Sequence, residues 1–155
     1  MTVQLYKLSR WFYQKGLAPF GKTITGVNRL LFGCWLPGTA SIGPRLVVGY
    51  QGLGIVVHSH ASIGSDCWIS QNVTIGRNFG DTLVPKIGDR VYIGAGAVIF
   101  GEISIGDGAI IGSNAVVNRS VPPGSIAAGN PARIIRDSTP DHLELRANDK
   151  LFDKP

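Results

Sequence analysis

The sequence predicts an all-β protein, a parallel β-helix with a short α-helical N-terminal arm. First, isoleucine or valine recurs on a six-residue grid and is often followed by glycine. Second, the residue four places after a grid position is small or apolar, so a hexad has two inward positions, unlike an α-helix. Three hexads, each a short strand plus a turn, make one triangular coil that buries its apolar face only against neighbouring coils. The grid positions are Val57, Ile63, Ile69, Ile75, Ile87, Ile93, Ile99, Ile105, Ile111 and Val117.

The arm, residues 1–39, is predicted to contain two helices. Apolar residues at helical spacing predict the first over residues 3–15, and Gly16 ends it. The second is predicted over about residues 22–32, with Pro37-Gly38 stopping it.

The arm is also basic and aromatic, because residues 1–65 contain no acidic side chain. This composition has two interpretations. The arm rests on an anionic membrane surface through its cations and interfacial rings, or its rings cover the open end of the β-helix. The residues concerned are Lys7, Arg10, Lys15, Lys22, Arg29 and Arg45, with Tyr6, Trp11, Phe12, Tyr13, Phe20, Phe32 and Trp35.

The β-helix is predicted over residues 40–134, with two interruptions. Three extra residues break the grid at 50–54, and residues 79–85 (FGDTLVP) do not resemble hexads and predict a projecting loop. Function concentrates at such interruptions, since regular coils offer little except packing. Residues 135–155 are predicted to form a polar tail, with a short helix over 139–145.

Composition indicates where the protein works in the cell and which classes of partner are not expected to bind it. The chain has 155 residues and a net charge of +5, which suits one domain, and its repeats carry no basic stripe interleaved with aromatic rings for nucleic acid. Cys34 and Cys67 lack metal-type spacing and are expected to be reduced, buried thiols. No signal peptide is apparent, and the apolar stretch over residues 30–36 is too short to span a bilayer. We therefore expect a cytoplasmic protein. The alternative is a protein that contacts the inner face of the membrane through its basic, aromatic arm.

Beyond periodicity, residues 54–134 contain GIVVHSHASIG, QNVTIG, VPKIGDRVYIGAGAVIFGEISIG and VPPGSIAAGNPARII. These segments, a little over half the chain, resemble the catalytic domain of the hexapeptide-repeat, left-handed β-helix acyltransferases. The similarity is to serine O-acetyltransferases and related O-acetyltransferases of surface polysaccharides. It implies a homotrimer that transfers an acetyl group from acetyl-CoA to a hydroxyl, without a metal.

In this family, coenzyme A lies in a groove between neighbouring rods that glycine-rich coils line, and basic residues beyond the last coils meet its phosphates. The candidates that the resemblance implies here are Gly94, Ala95, Gly96 and Gly112, then Ala132, Arg133 and Arg136, with Lys86 in addition. Tight corners are an alternative explanation of Gly94 and Gly96.

Removal of a hydroxyl proton needs a base, and histidine titrates near neutrality. His58 and His60 directly follow GIVV, whereas His142 belongs to the polar tail. We predict that His58 is the general base, with His60 as the second candidate. The alternative is that both are corner histidines satisfied by water or backbone.

The chain departs from the serine enzymes at the acceptor site. Gln51, beside Tyr50, stands where that family has its base histidine, and Leu83 and Val84 stand where it has an arginine and a second histidine. Because a free carboxylate usually pairs with a cation, these departures weaken the assignment to L-serine and leave open a sugar acceptor or a catalytically silent trimer. The candidate acceptor-binding residues are Tyr50, Gln51, Asn72 and Arg77.

A zinc hydratase of the γ-carbonic anhydrase class shares this type of rod but needs three converging histidines, and the repeats contain only His58 and His60. We therefore predict a serine O-acetyltransferase-like enzyme. The alternatives are an O-acetyltransferase acting on a sugar of surface polysaccharides, or a purely structural role.

Overall fold

The computed structural model describes residues 1–136, which form a left-handed parallel β-helix of about four coils with two helices at its N-terminal end. The predicted fold class is confirmed. The described residues include only residues 135 and 136 of the predicted tail. The helix predicted over 139–145, which contains His142, lies outside them. No helix within residues 1–136 is long and apolar enough to cross a membrane.

Helix α1 spans Thr2–Gln14 and helix α2 spans Ala18–Phe32. The first matches its prediction within one residue, but the second begins four residues earlier than predicted. Pro19 is the reason, because proline is tolerated in the first turn of a helix, where N–H groups have no intrahelical partner. The helix ends at Gly33, whose left-handed φ of 64° closes it before Pro37 is reached.

Three sheets form the walls of the rod. The first contains β1 (Ser41–Ile42), β4 (Ser62–Ile63), β7 (Lys86–Ile87) and β10 (Ser104–Ile105). The second contains β2 (Val47–Val48), β5 (Trp68–Ile69), β8 (Tyr92–Ile93), β11 (Ile110–Ile111), β13 (Ile126–Gly129) and β14 (Ala132–Arg136). The third contains β3 (Val56–Val57), β6 (Thr74–Gly76), β9 (Val98–Phe100) and β12 (Val116–Val117). All pairings are parallel except that of β13 with β14.

The core runs along the axis of the rod. All ten grid positions are buried, none more than 4% exposed, and equivalent residues of successive coils are paired, as Ile69 is with Ile93. Burying each such side chain is worth about 1.5–3 kcal/mol. Cys34 and Cys67 are buried free thiols, and burial raises their pKa values to about 12 and about 11, so both stay protonated near neutrality.

Three corners join the sheets, and they determine where loops and candidate site residues lie. The first corner links the first sheet to the second, the second corner links the second to the third, and the third corner returns to the first sheet. Both predicted interruptions occur: a turn over Gly49–Gly52 at the second corner, and a segment without strands over residues 77–85 at the third.

The end of the arm already belongs to the rod, since Trp35 pairs in parallel with Val56 and Leu36 is buried in the core. Residues of helix α1 also contact this end of the rod. The Tyr6 hydroxyl donates to the Ala40 carbonyl at 2.9 Å and accepts from the Ile42 N–H at 3.2 Å, while Arg10 donates to Ala40 at 2.7 Å. Tyr6 is buried in the core cluster and Phe32 packs against it. Some of the arm's rings therefore cover the end of the rod, while Trp11 and Phe20 are exposed.

Candidate active site

The predicted site residues lie at two different corners. His58, His60 and Arg77 belong to the third corner. Tyr50, Gln51, Asn72, Gly94, Ala95, Gly96 and Gly112 belong to the second corner. The strands of the third sheet separate these groups, so one rod does not bring the histidines together with the glycine-rich coils.

His58 directly follows β3 and is held by its backbone, whose N–H donates to the Ile75 carbonyl at 2.8 Å. Its side chain is half-buried, and its Nδ1 accepts the backbone N–H of exposed His60 at 3.2 Å. The neutral ring in this arrangement carries its proton on Nε2. To act as a base through Nε2, His58 must give up the contact with the His60 N–H.

The surroundings of His58 favour its neutral form. Burial lowers the pKa of the imidazole below its ordinary value of 6.5, and the charges of His60 and Arg77 lower it further. At neutral pH the ring is therefore uncharged, which a general base requires.

Replacing Arg77 with glutamine is expected to raise the pKa of His58, because it removes one of the positive charges that disfavour the imidazolium. The pKa is measured by NMR titration of the His58 ring. Arg119→Gln, an exposed arginine at the same corner two coils away, is the matched control and should leave the titration unchanged. A His58 titration that is identical in Arg77→Gln and wild type would contradict this account of its environment.

A groove of about 520 Å³ separates the arm from the rod beside His58. Tyr13 and Lys22 of the helices line one side, with Trp35. On the rod side, Ser59, Thr74, Ile75 and Gly76 line it with His58. The groove offers hydroxyl groups, an indole ring and an ammonium group to a small acceptor. Sequence reasoning missed Tyr13 and Lys22 as site residues, because only the folding of the helices over the rod brings them to His58. It also missed Trp35, which reaches the groove because its backbone pairs with Val56.

At the second corner, glycine and asparagine alternate from coil to coil. Asn72 and Asn114 adopt left-handed φ values of 60° and 56°. Their side-chain oxygens occupy the space that a Cβ would take at Gly54 and Gly96. A Cβ at Gly94 would lie 2.6 Å from the backbone nitrogen of Ser113. Close stacking of the coils therefore explains why Gly94 and Gly96 are glycines, which agrees with the alternative that tight corners require them.

Gln51 contacts the arm. Its backbone, at a left-handed φ of 57°, accepts a hydrogen bond from the Thr2 hydroxyl, and its exposed side chain accepts from the terminal ammonium of Met1 at 3.4 Å. Tyr50 beside it is 78% exposed. These contacts join the first coil to helix α1, a structural role that the sequence did not predict.

The candidates for binding coenzyme A follow the second corner toward the end of the rod. The Gly112 N–H donates to the Ala127 carbonyl on β13 at 2.8 Å, and Ala128 is paired with Arg133 on β14. At the end of the rod, Ala132 and Arg133 line a groove of about 210 Å³ with Val117 and with Arg119 of the third corner. Arg136 is exposed on the same strand.

Lys86 lies elsewhere. It is exposed on β7 of the first sheet and lines a separate groove with Leu83, Val84 and Glu102. The grouping of Lys86 with the glycine-rich coils is therefore not found within a single chain. Within residues 1–136, no three His, Cys, Asp or Glu side chains are grouped so that they could hold a metal ion.

Comparison with known proteins finds that this chain is similar to bacterial transferases and to serine acetyltransferases. Residues 85–119 match the family model described as bacterial transferase hexapeptide (six repeats). The serine acetyltransferase of Mycobacterium tuberculosis is 36% identical over 137 residues, which cover 87% of this chain and 59% of the relative. The serine acetyltransferase of Escherichia coli strain K12 is 38% identical over 137 residues, which cover 86% of this chain and 50% of the relative.

Solved structures give the same result. Serine acetyltransferase from Brucella abortus in complex with coenzyme A is similar with a TM-score of 0.84 at 32% identity, over 88% of this chain and 55% of that chain. Serine acetyltransferase from Vibrio cholerae is similar with a TM-score of 0.86 at 33% identity, over 93% of this chain and 56% of that chain. The chain thus spans little more than half the length of the relatives it matches.

Proposed function

The chain carries the hexapeptide repeat of bacterial transferases and is similar in sequence and fold to serine acetyltransferases, and from this premise we propose that it is an acetyl-CoA-dependent O-acetyltransferase. The observation that supports this most is the similarity to a serine acetyltransferase crystallised with coenzyme A. The reaction transfers the acetyl group from the thioester sulfur to a hydroxyl oxygen of a small acceptor.

Acetyl-CoA is proposed to lie along the second corner, beside Gly94, Ala95, Gly96 and Gly112, with its phosphates toward Arg133 and Arg136. The register supports this direction for Arg133, because the Gly112 N–H donates to Ala127 on β13 and the next residue, Ala128, pairs with Arg133. Arg136 pairs with Ile126 at the other end of β13. Guanidinium groups bind phosphate oxygens through paired N–H donors.

Replacing Arg133 and Arg136 together with alanine is expected to weaken acetyl-CoA binding on the order of tenfold or more at low ionic strength, since charge-assisted contacts are lost. The difference from wild type should shrink at high salt, where screening already weakens exposed charge pairs. Isothermal titration calorimetry measures the dissociation constant, and Arg90→Ala at the first corner is the control. An unchanged constant in the double variant would remove the C-terminal strand from the site.

His58 is proposed as the general base. As the acceptor oxygen attacks the thioester carbonyl, its proton moves to the imidazole, and the sulfur leaves as coenzyme A thiolate after the tetrahedral intermediate collapses. The ring then gives the proton to the thiolate or to solvent. This role requires that binding of the acceptor replaces the contact between His58 Nδ1 and the His60 N–H.

The acceptor is proposed to be L-serine or a similar small hydroxyl compound. A sugar is the second candidate. Gln51, Leu83 and Val84 stand where the serine enzymes have two histidines and an arginine, so the chain lacks at these positions the cation that would pair with the carboxylate of serine. The groove beside His58 also favours a sugar, since Trp35 and Tyr13 can stack on a sugar ring. Tyr50, Gln51, Asn72 and Arg77 remain proposed acceptor contacts, although Gln51 contacts helix α1 within one chain.

The function is tested by measuring acetyl-CoA turnover against L-serine, L-homoserine and nucleotide-linked or lipid-linked sugars. Turnover with one of these hydroxyl compounds is expected, and the preferred class decides between the two candidates. Binding of acetyl-CoA without turnover of any of them would contradict the proposal and favour a catalytically silent trimer.

A homotrimer is proposed because the outer faces of the three sheets differ. The first sheet presents Ser41, Ser62, Lys86 and Ser104. The second presents Val47, Trp68, Tyr92 and Ile110, and the third presents Val56, Thr74, Val98 and Val116. One polar and two mainly apolar faces suit a rod that packs against two neighbours. Contact between rods would also let the histidine corner of one chain approach the glycine corner of another.

Light scattering should therefore give a mass three times that of the 16.5 kDa chain at micromolar concentration. Val98→Glu, which places a charge on the outer face of the third sheet, should lower that mass, whereas Ser104→Glu on the polar first sheet should not. A monomeric wild type would count against a site shared between chains. We propose that this assembly works in the cytoplasm.

A further inference from the structure

Helices α1 and α2 contact each other through small and polar residues. The Ser9 hydroxyl donates to the Gly21 carbonyl at 2.7 Å and lies 2.9 Å from the Thr25 hydroxyl. The Asn28 amide donates to the Thr2 carbonyl at 3.3 Å. The contacts at these positions do not involve the large apolar residues of the arm.

Those apolar residues instead form a continuous face, here called the outer face. Its members are Leu5, Leu8 and Phe12 on α1, and Phe20, Ile24, Val27 and Leu31 on α2. The spacing puts each set on one side of its helix. The Phe12 and Phe20 rings stack with centroids 5.6 Å apart, which joins the two sets.

The outer face points away from the rod. Contact with the rod is made by Tyr6 and Arg10, and Arg29 lies over the Trp35 ring at 5.7 Å. No residue of the outer face belongs to the apolar cluster of the core. Leu8, Phe20 and Leu31 are 42%, 59% and 61% exposed, and the other four members of the face are partly exposed.

The charges around this face identify the kind of partner that fits it. Lys7 on α1 and Lys15 directly after it are exposed, whereas Lys22 on α2 lines the groove on the side of the rod. The first acidic residue of the chain is Asp66. A second copy of the arm would bring further cations and no acid, whereas an anionic lipid surface supplies the opposite charge. Trp11, 48% exposed on α1, is a residue type enriched at membrane interfaces.

We propose that the arm docks on an anionic bilayer surface, with its outer face in the boundary between headgroups and acyl chains. The helices of 13 and 15 residues are shorter than the ~20 residues that span a bilayer, and they suit a position in the plane of the interface. Lys7 and Lys15 then lie at the level of the lipid phosphates. This inference is independent of acetyl transfer.

The test is co-sedimentation of the full chain with vesicles of phosphatidylcholine alone, or of phosphatidylcholine with roughly a third phosphatidylglycerol. Wild type should sediment with the anionic vesicles and not with the neutral ones, and high salt should reduce the bound fraction. Wild type that stays in the supernatant with anionic vesicles at low salt overturns the proposal.

Two double variants test which residues are responsible. Phe20→Ser with Leu31→Ser, and Lys7→Glu with Lys15→Glu, should each weaken partition into anionic vesicles about tenfold or more. Leu83→Ser, an equally apolar and exposed position on the rod, should not change it. Melting curves identify a variant that has lost its fold. If the Phe20/Leu31 variant binds vesicles like wild type but has a lower mass in solution, the outer face joins copies of the chain and the lipid proposal is wrong.

Discussion

Replacing His58 with alanine is expected to lower acetyl-transfer turnover about 10²- to 10⁴-fold, the usual contribution of a positioned acid–base group. The affinity for acetyl-CoA should stay near that of wild type, because the candidate donor site lies at the second corner and His58 at the third. Steady-state kinetics give the turnover, and calorimetry gives the dissociation constant of acetyl-CoA.

His60→Ala is the matched control for this prediction. Its backbone N–H, which contacts His58 Nδ1, is kept, and only the exposed imidazole is removed. Turnover should fall much less than in His58→Ala. Full activity of His58→Ala with loss in His60→Ala would move the base to His60, and full activity of both variants would contradict a histidine base.

Gly64→Ala is expected to destabilise the protein by about 3 kcal/mol or more, the upper range for overpacking a dense interior. A Cβ at this corner would lie 2.5 Å from the Gly88 carbonyl oxygen and 2.6 Å from its carbon. These are backbone atoms of the next coil, so no side chain can turn aside to make room. For a chain of this size the melting temperature should fall on the order of 10 °C, measured by circular dichroism.

Gly76→Ala is the control, because Ile75-Gly76 repeats the dipeptide Ile63-Gly64. A Cβ at Gly76 would meet nothing closer than the Thr74 methyl carbon at 3.8 Å. The variant should melt within a few degrees of wild type. Equal destabilisation by both substitutions would show that the glycines act through the backbone and not through the spacing of the coils.

The fold could be predicted from the sequence because each hexad repeats the same packing. The six-residue repeat alone predicts that Ile69 and Ile93 are buried. The segments at 50–54 and 79–85 could be predicted as interruptions because they do not fit this repeat. The start of α2 was predicted four residues too late, because Pro19, which occupies the first turn of the helix, was not recognised as its start signal. The difference between Gly64 and Gly76 was equally hidden, since it depends on what stacks above each corner.

The candidate site was less predictable. His58 and Arg77 were identified by residue type and their places beside interruptions, and the structure puts them close enough to influence one pKa. Lys22 and Tyr13 were missed, because their approach to His58 depends on how the helices pack on the rod. Trp35 was missed because its pairing with Val56 lies outside the six-residue grid. Lys86 was predicted, with Arg133 and Arg136, as a residue that meets the phosphates of coenzyme A, although its strand β7 belongs to another sheet.

Strand β14 has a further consequence, for aggregation. A parallel solenoid that ended on an open coil would offer its unpaired backbone groups to the first coil of another molecule, and rods could join end to end into a filament. Here the chain reverses, and β14 pairs antiparallel with β13 along the second sheet. A parallel strand from another copy cannot continue that wall in the same register. The helical arm covers the opposite end, so the rod has a fixed length although its repeat could in principle grow without limit.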